Sequence, residues 1–462
     1  MSAAFVPVLS DLKQRPREEW LQYVNSFFTV LSAVLAVVVV AGVLLSPWLV
    51  PGLFAPGYVN NPEKMELTIR LTQVCFLYLF FIGLASFVQG ILNTFKIFGP
   101  SAFTPVLLNL ATIACAVAMS PLLDEPAYAF VIGFVVGGVA QLAFQLPYLG
   151  RLGVKLRPVF GQFSRHVWRS LKLMGPAVIG FGVYEVNVTL SQLVASFLGD
   201  GAISSLQYSN RMMELPLGVF VAAVSTVILP TLSEKGHQGD HEGYRNDLVF
   251  AIKVVLFLTL PVTAMMFILR EPLFTLLLGY GAFNQKSVEV TAFAFMFHVV
   301  GLPLVGLCRI LVPGFYALED TKSPVLVALV SMVVNVVMCA ALALFTDLGN
   351  GGIALASSLA ALAQALGLLW LLKTRRRILL PYRALGVSMG KLLLAMVPLS
   401  LVCGYAVGLT HDVSRVTLGV VLAGAGTLAA VGYGVSLVLL KAEEVRFIRT
   451  LLRRRAVRSG RP

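Results

Sequence analysis

The chain has 462 residues, of which 58% are hydrophobic and only 12% charged, and its mean hydropathy is +0.86. About a quarter of the residues of a soluble globular protein are charged, so this composition excludes a soluble fold and indicates an all-α polytopic membrane protein. The net charge of +13 would suggest a nucleic-acid partner in a soluble chain. We predict none here, because the basic C-terminal tail is better explained as an anchor of the membrane topology.

Runs of about 20 apolar residues are the pattern expected of helices that cross a membrane. Twelve such runs follow one another along the chain, and the short connections between them predict antiparallel neighbours. They lie near residues 24–49, 68–93, 102–120, 127–149, 170–197, 202–230, 247–269, 288–314, 324–346, 351–372, 387–408 and 415–440.

Lys and Arg residues are concentrated in alternate connections, and they favour the cytoplasmic side of a membrane. They cluster at the start of the chain, at 151–165, at 373–383 and in the tail after 446. This pattern predicts that both termini are cytoplasmic.

Glu185 is a carboxylate inside the predicted span 170–197, where a charge is costly. We interpret it as a candidate for coupling transport to protons or for pairing with an arginine, and the alternative is a polar packing role without coupling. His298 stands alone on an apolar face, which is more typical of a hydrogen-bonded packing residue than of a ligand. Arg309 lies close enough to a cytoplasmic end to act as an interfacial anchor.

The segment from Gly201 to Glu234 is long enough to cross a bilayer, yet it contains Arg211. At about 1.5 Å per residue, Arg211 lies roughly 14 Å along a helix that begins near Ala202, close to the middle of a hydrocarbon layer about 30 Å thick. A cation there costs about 2.5–3.5 kcal/mol on insertion scales, so it usually faces a polar cavity and marks a transport path. The alternative is an ion pair that holds two helices together. Pro216 is expected to kink the same span.

Three short matches recur in the same order along the chain, as expected of an internal repeat. The proline pairs 7 and 230 and 105 and 324 are 223 and 219 residues apart, and Gln141 and Gln364 are 223 apart. They predict two pseudo-repeated helical lobes around a central cavity, a plan in which transporters bind substrate between the halves. The matched segments are FVPVLSD with ILPTLSE, TPVL with SPVL, and AQ with AQ.

The repeat divides the chain into three predicted parts. Residues 1–150 form an N-terminal lobe of about four helices, 151–373 a C-terminal lobe of about six, and 374–462 two extra helices with the basic tail. Two helices precede the Pro-x-Leu-Ser motif in the second lobe but not in the first. We therefore expect two helices to be missing from the front of the first lobe.

Longer motifs carry a resemblance to a known family. The motifs are SAAFVP at 2–7, APGY at 55–58, GILN at 90–93, PVLLN at 105–109, MGPA at 174–177, NRMMELPLG at 210–218 and PGFYALEDTKSP at 313–324. With them the chain resembles the MurJ (MviN) lipid II flippases of the multidrug/oligosaccharidyl-lipid/polysaccharide exporter superfamily over nearly its whole length.

The resemblance implies that Arg211 is the arginine of the substrate cavity, with Ser204 and Asn210 beside it. Glu185 is a further candidate for substrate contact. Members of the family can bind a sodium ion in the second lobe, and Asn335 and Ser191 lie near where its ligands would be. With Glu185 they are the candidates for ion coupling, and the membrane potential is the alternative driving force. No catalytic residue, metal or cofactor is predicted.

The function implied by the resemblance is transport, not catalysis. The chain would flip the undecaprenyl-diphosphate-linked peptidoglycan precursor lipid II between the leaflets of the bacterial cytoplasmic membrane by alternating access, with membrane lipids as its other partners. The alternatives are another lipid-linked oligosaccharide flippase or a multidrug exporter of the same superfamily. A membrane transferase is a further alternative, but it would need clustered acids or histidines, and the sequence shows no such motif.

Overall fold

Helices account for every regular element in the structure, a computed structural model that describes residues 2–159, 164–410 and 413–442. The predicted all-α fold class is confirmed for this part of the chain. The helices belong to two compact units, Met1–Thr189 and Leu190–Pro462, and the division falls inside one helix. The division of the chain into three parts stays a prediction.

The first unit begins with a short helix and continues with long ones, the last of which crosses into the second unit. Its helices are α1 (Ser2–Leu12), α2 (Arg17–Leu49), α3 (Pro62–Thr94), α4 (Gly99–Met119), α5 (Ala127–Arg151) and α6 (Arg165–Ala195). Three short helical turns lie between them, at Val50–Phe54, Pro56–Asn60 and Ser120–Leu122.

Among its described residues, the second unit contains ten further α-helices. They are α7 (Ala202–Pro216), α8 (Ala222–Gln238), α9 (His241–Ile268), α10 (Arg270–Leu277), α11 (Gln285–Val300), α12 (Leu302–Ala317), α13 (Lys322–Phe345), α14 (Asn350–Thr374), α15 (Tyr382–Gly408) and α16 (Arg415–Leu439). Local sequence sets several of their first residues, because the side chains of Asp240, Asn284 and Ser414 each accept a hydrogen bond from a backbone N–H of the following turn.

Ten helices of the described residues are long and apolar enough to cross a membrane, and α11 with α12 adds an eleventh span. Twelve spans were predicted. The remaining one, at 170–197, corresponds to α6, part of which lies outside the residues whose side chains are described.

The two units repeat the same helix boundaries at one spacing. The first residues of α11, α13 and α14 are 285, 322 and 350, and those of α3, α4 and α5 are 62, 99 and 127. Each pair differs by 223, since 285 minus 62, 322 minus 99 and 350 minus 127 give the same number. The turns after α3 and α12 also correspond, because Lys96 and Glu319 have φ angles of 61° and 58° and are again 223 apart.

One of the three sequence matches is out of register with this repeat. Pro105 lies inside α4, whereas Pro324 is the third residue of α13. The TPVL and SPVL segments, 219 apart, are therefore displaced by about one helical turn relative to the helices that carry them. The other two matches, at a separation of 223, agree with the helix boundaries.

Aromatic rings form the centre of the first unit. The ring of Phe5 on α1 lies 5.4 Å from that of Tyr23 and 5.0 Å from that of Phe87, measured between centroids. The hydroxyl of Tyr23 also lies 2.6 Å from the Ser170 hydroxyl on α6. These contacts hold α1 against α2 and α3, and they fix the start of α6 to the same core.

Two spans of the second unit are irregular. The predicted single span at 288–314 is two helices, α11 and α12, which meet at Gly301 with a bend of 43°. Pro303 lies at the start of α12 and has no N–H to continue the α11 hydrogen-bond pattern, so the helix breaks there. The irregularity expected at Pro216 takes the form of a π-helical turn, Leu217–Val221, between α7 and α8.

Candidate functional site

α7 has one buried and one exposed face, and Arg211 is on the exposed face. Residues three, four and seven positions apart share a face of a helix. Ser204 and Gln207 are therefore on the same side as Arg211, and both are exposed. We call Ser204, Gln207 and Arg211 the polar row of α7. The buried face carries Ala202, Ser205, Leu206, Ser209, Met212, Met213 and Pro216.

The structure brings together only part of the predicted substrate site. Ser204 lies in the polar row with Arg211, but Asn210 is half-buried and points about 100° away around the helix. Gln207 was missed by the sequence analysis. Its spacing of four residues from Arg211 is the signal that could have identified it.

The Arg211 guanidinium has no hydrogen-bond or ion-pair partner among the residues that the structure describes. A nearby carboxylate, Glu214, follows it by three residues and pairs with Arg309 on α12 instead. Both carboxylate oxygens of Glu214 lie 2.8 Å from one terminal nitrogen of Arg309. Because Arg309 neutralises Glu214, the net positive charge of Arg211, Glu214 and Arg309 together comes from Arg211.

The interpretation of Arg309 as an interfacial anchor missed this ion pair. The two partners are 95 positions apart in sequence, and no local spacing signals their contact. The side chains of Arg309 and Glu214 are 38% and 36% exposed, so water partly screens their attraction.

Two hydrogen bonds fix the buried face of α7 to other helices. The Ser209 hydroxyl lies 2.6 Å from Nδ1 of His298 on α11, and both residues are buried. The amide of Asn350, the first residue of α14, donates to the Ser205 hydroxyl at 2.6 Å. The interpretation of His298 as a hydrogen-bonded packing residue is confirmed.

Glu185 is exposed on α6 and belongs to the first unit. Its backbone carbonyl accepts a hydrogen bond from the Thr189 hydroxyl at 2.9 Å. Its pairing with Arg211, in the second unit, stays a prediction.

Ser191 and Asn335, the residues implied for a cation site, are in contact within the second unit. The Asn335 amide donates to the Ser191 hydroxyl at 2.9 Å, and the Cys339 sulfur lies 3.8 Å from the Asn335 carbonyl oxygen. A sodium ion prefers several oxygen ligands, as other hard cations do. Here the Asn335 amide N–H faces the hydroxyl and its carbonyl oxygen faces a thiol, and the cation site stays a prediction.

An apolar cavity of about 370 Å³ lies beside the end of α7. Its walls come from α7, the π-helical turn, α9, α10 and α16, and it begins at Leu215, directly after Glu214. No side chain on its walls is charged. The lining residues are Leu215, Pro216, Val219, Phe220, Val262, Met265, Met266, Leu269, Leu273 and Leu422.

The described residues combine long apolar helices in a repeated order with a broken span and an exposed arginine that has no partner among them. These features define a polytopic membrane transporter. The family model described as "Lipid II flippase MurJ" matches residues 1–423, and the chain belongs to this family. The resemblance inferred from the motifs is confirmed.

Individual relatives give the same result. The chain is 36% identical over 368 residues to the "Probable lipid II flippase MurJ" of Vibrio cholerae serotype O1, an alignment that covers 78% of this chain and 70% of the relative. It is 36% identical over 341 residues to the "Lipid II flippase MurJ" of Burkholderia cenocepacia, covering 72% of this chain and 66% of the relative.

Solved structures share the fold. A structure described as "Lipid II flippase MurJ, inward closed conformation" matches with a TM-score of 0.77 and 26% identity, covering 95% of this chain and 88% of the other. An inward-facing multidrug resistance transporter of the MATE family matches with a TM-score of 0.69, covering 82% of this chain and 85% of the other. Its identity of 15% shows a shared fold alone.

Proposed function

We propose that the chain flips lipid II from the inner to the outer leaflet of the bacterial cytoplasmic membrane by alternating access. In this proposal it is a transporter and not an enzyme, and both of its termini are cytoplasmic. Membership of the MurJ family supports the substrate, and the distribution of Lys and Arg supports the orientation. The observation that carries the proposal is the exposed guanidinium of Arg211, which lies within a span and has no partner among the described residues.

The head group of lipid II carries a diphosphate, and moving this charge through hydrocarbon would cost on the order of tens of kcal/mol in an idealised estimate. Arg211 would offset much of that cost, because a guanidinium binds phosphate oxygens bidentately and stays charged when partly desolvated. Ser204 and Gln207, in the same row, would add hydrogen bonds to the phosphates or sugars. Asn210 is the weaker candidate of the predicted set, since it is turned away from this row.

The Glu214–Arg309 pair would leave the site positive. An unpaired carboxylate three residues from Arg211 would repel a diphosphate, and the bond to Arg309 cancels that repulsion. Replacing Arg309 with a neutral residue is therefore expected to weaken head-group binding through Glu214.

The apolar cavity would receive part of the polyprenyl tail. It begins at Leu215, so the polar row and the cavity follow one another along the same helix. A lipid with a charged head and an apolar tail has the same order of groups. The volume of the cavity, about 370 Å³, suits a section of the tail, and the rest of the tail would remain in the membrane.

The driving force stays a prediction. Coupling to a proton through Glu185, to a monovalent cation through Ser191 and Asn335, or to the membrane potential are the candidates.

Rescue of cells depleted of their own lipid II flippase tests the proposal. The wild-type chain should restore growth, Arg211→Ala should not, and Arg211→Lys should restore it in part because it keeps the charge but not the fork. Arg245→Ala is the matched control, since Arg245 is half-buried near the start of α9 and pairs with Glu242, three residues before it on the same helix. Normal rescue by Arg211→Ala at normal expression would contradict the assignment.

A further inference from the structure

The broken span α11–α12 is bonded to α7 on each side of its break, by a hydrogen bond on α11 and by an ion pair on α12. We call these two contacts the bridges. We propose that the broken span acts as a two-point clamp, in which His298 and Arg309 are positioning residues that set the orientation of Arg211. This inference rests on the proposed function of Arg211, and it concerns how that side chain is held and moved.

The first point of the clamp lies on α11. Nδ1 of His298 is 2.6 Å from the Ser209 hydroxyl. His298 is 7% exposed and Ser209 is 0% exposed. A hydrogen bond this well shielded from water is costly to break, because either partner alone would leave a buried polar group unsatisfied. Rotation of α7 about its own axis at Ser209 is therefore opposed.

The second point lies on α12, beyond the break. Arg309 binds both oxygens of Glu214 at 2.8 Å. Arg211 stands between the two points, two residues after Ser209 and three before Glu214. Any change in the relative position of α11 and α12 must therefore rotate this turn of α7 or break one of the two bridges.

The break itself is anchored on the α11 side. The Ser358 hydroxyl of α14 donates to the Phe297 carbonyl at 2.7 Å, and this carbonyl is one that the interrupted helix leaves without its usual partner. A side chain at Gly301 would place its Cβ 2.5 Å from that hydroxyl, so α14 fits closely against the break. A change in the 43° bend would move α11 and α12 relative to each other, and so would change the positions of His298 and Arg309 relative to each other.

α7 is able to respond because of the π-helical turn that follows it. Leu217–Val221 begins three residues after Glu214 and separates α7 from α8. Such turns weaken the regular hydrogen-bond pattern and often mark functional sites in helices. The turn would let α7 rotate with the clamp while α8 keeps its place.

Transport by the purified chain in lipid vesicles tests the clamp, with fluorescent lipid II as the probe. His298→Asn keeps a polar atom near the position of Nδ1 and should retain the bond to Ser209. His298→Gln places its amide near the position of Nε2 and should lose it. We expect His298→Gln and Ser209→Ala to lower the transport rate by about tenfold or more, and His298→Asn to stay within about threefold of wild type.

Ser331→Ala is the matched control for Ser209→Ala. The Ser331 hydroxyl also makes a buried bond between helices, donating to the Ala360 carbonyl at 2.8 Å, but it joins α13 to α14. Its loss should leave the transport rate within about twofold of wild type, because it does not contact α7. An equal loss of rate in both serine variants would show general loosening of the fold and would overturn the clamp.

A spin label on α7 supplies a readout of orientation that is independent of transport. It is attached to the Gln207→Cys variant, in which the exposed Cys75 is also replaced. The spectrum should gain a second component in Ser209→Ala and His298→Gln, and it should match the parent in His298→Asn and Ser331→Ala.

These two readouts separate the clamp from the function on which it rests. If the wild-type chain transports lipid II and Arg211→Ala does not, but His298→Gln equals wild type in rate and spectrum, the clamp is wrong and the function stands. If the wild-type chain transports no lipid II, the proposed function fails, while the spectra still decide whether His298 orients α7.

Discussion

α3 of the first unit and its counterpart in the second unit differ in continuity. α3 runs from Pro62 to Thr94 without interruption, whereas residues 285–317, displaced by 223, form α11 and α12 with a break at Gly301. The residue of α3 that corresponds to Pro303 is Phe80, and the residue that corresponds to Arg309 is Ser86. The repeat thus keeps the helix ends and changes the residues between them.

The difference between the continuous α3 and the broken span α11–α12 indicates which unit carries the polar contacts of the proposed site. A continuous helix satisfies its own backbone groups and offers a stiff scaffold. A broken helix leaves backbone carbonyls and side chains available for contacts with neighbouring helices, which is a common feature of substrate sites in transporters. In the second unit the break is accompanied by His298 and Arg309, whose counterparts in α3 are Cys75 and Ser86.

Breaking α3 artificially is expected to have the largest effect on stability. Phe80→Pro removes a backbone donor and introduces a clash in the interior of an unbroken helix, at a cost of about 3 kcal/mol or more. We expect a marked fall in the unfolding temperature of the purified chain. An unchanged unfolding temperature would mean that the first unit tolerates a break as the second does. It would contradict the interpretation of α3 as a continuous, stiff scaffold.

Removing the carboxylate before α13 is expected to have the next largest effect. Asp320 accepts hydrogen bonds from the backbone N–H and hydroxyl of Ser323 and from Arg376, and its counterpart before α4 is the apolar Ile97. Asp320→Ala should lower the free energy of unfolding by about 2 kcal/mol, because it removes charge-assisted bonds. Ile97→Ala is the matched variant, because the Ile97 side chain is a hydrocarbon and has no hydrogen bond to lose.

The same carboxylate predicts a dependence on pH. Burial raises the pKa of Asp320, but the hydrogen bonds from Ser323 and the interaction with Arg376 lower it more, so the net shift is below the ordinary value of 3.8. The stabilisation is therefore complete above pH 3.8 and is lost as the pH falls through the lower pKa of the folded state. The difference in unfolding temperature between wild type and Asp320→Asn should shrink on acidification over that range. A difference that grew would contradict the sign of the shift.

Straightening the broken span should affect transport more than stability. Pro303→Leu supplies the missing N–H and removes the steric obstacle to joining α11 and α12. We expect the rate of lipid II transport to fall by about tenfold, equivalent to about 1.4 kcal/mol, with little change in the unfolding temperature. Transport at the wild-type rate would show that the bend is incidental.

Surface groups shared by the two units should have the smallest effect. Glu66 on α3 and Glu289 on α11 are 223 apart, and they contact Arg70 and Gln285, respectively, one turn away. Each contact is exposed, so Glu66→Gln and Glu289→Gln should each change the free energy of unfolding by less than about 0.5 kcal/mol. Chemical denaturation in detergent measures both variants. A larger change in the free energy of unfolding of either variant would show that these exposed contacts contribute to stability.

The sequence allowed the helical class, the repeat and most span positions to be predicted, because apolar runs and two pairs of similar segments 223 residues apart can be read directly from the order of residues. The break at Gly301 could also have been read from the Gly-Leu-Pro triplet, but the uninterrupted apolar character around it favoured one span. Arg211 was identifiable because a charge in a long apolar run stands out.

The contacts of the site could not be predicted in the same way. Ser209 and His298 are 89 positions apart, and Glu214 and Arg309 are 95 apart. Neither pair has a local pattern, since the contact depends on how α7 packs against two halves of a broken helix. Asn210 was predicted as a site residue because of the resemblance to the family. The helix geometry shows instead that Gln207 shares the face of Arg211.

Equilibrium binding of lipid II to the purified chain, measured for wild type and Arg211→Ala, tests the central claim most directly. Undecaprenol, which has the tail but not the diphosphate, is the comparison ligand. The account predicts that Arg211→Ala weakens lipid II binding by about 10- to 100-fold, the range expected for a charge-assisted bond, and leaves undecaprenol binding unchanged. Equal affinity of both proteins for lipid II would contradict it.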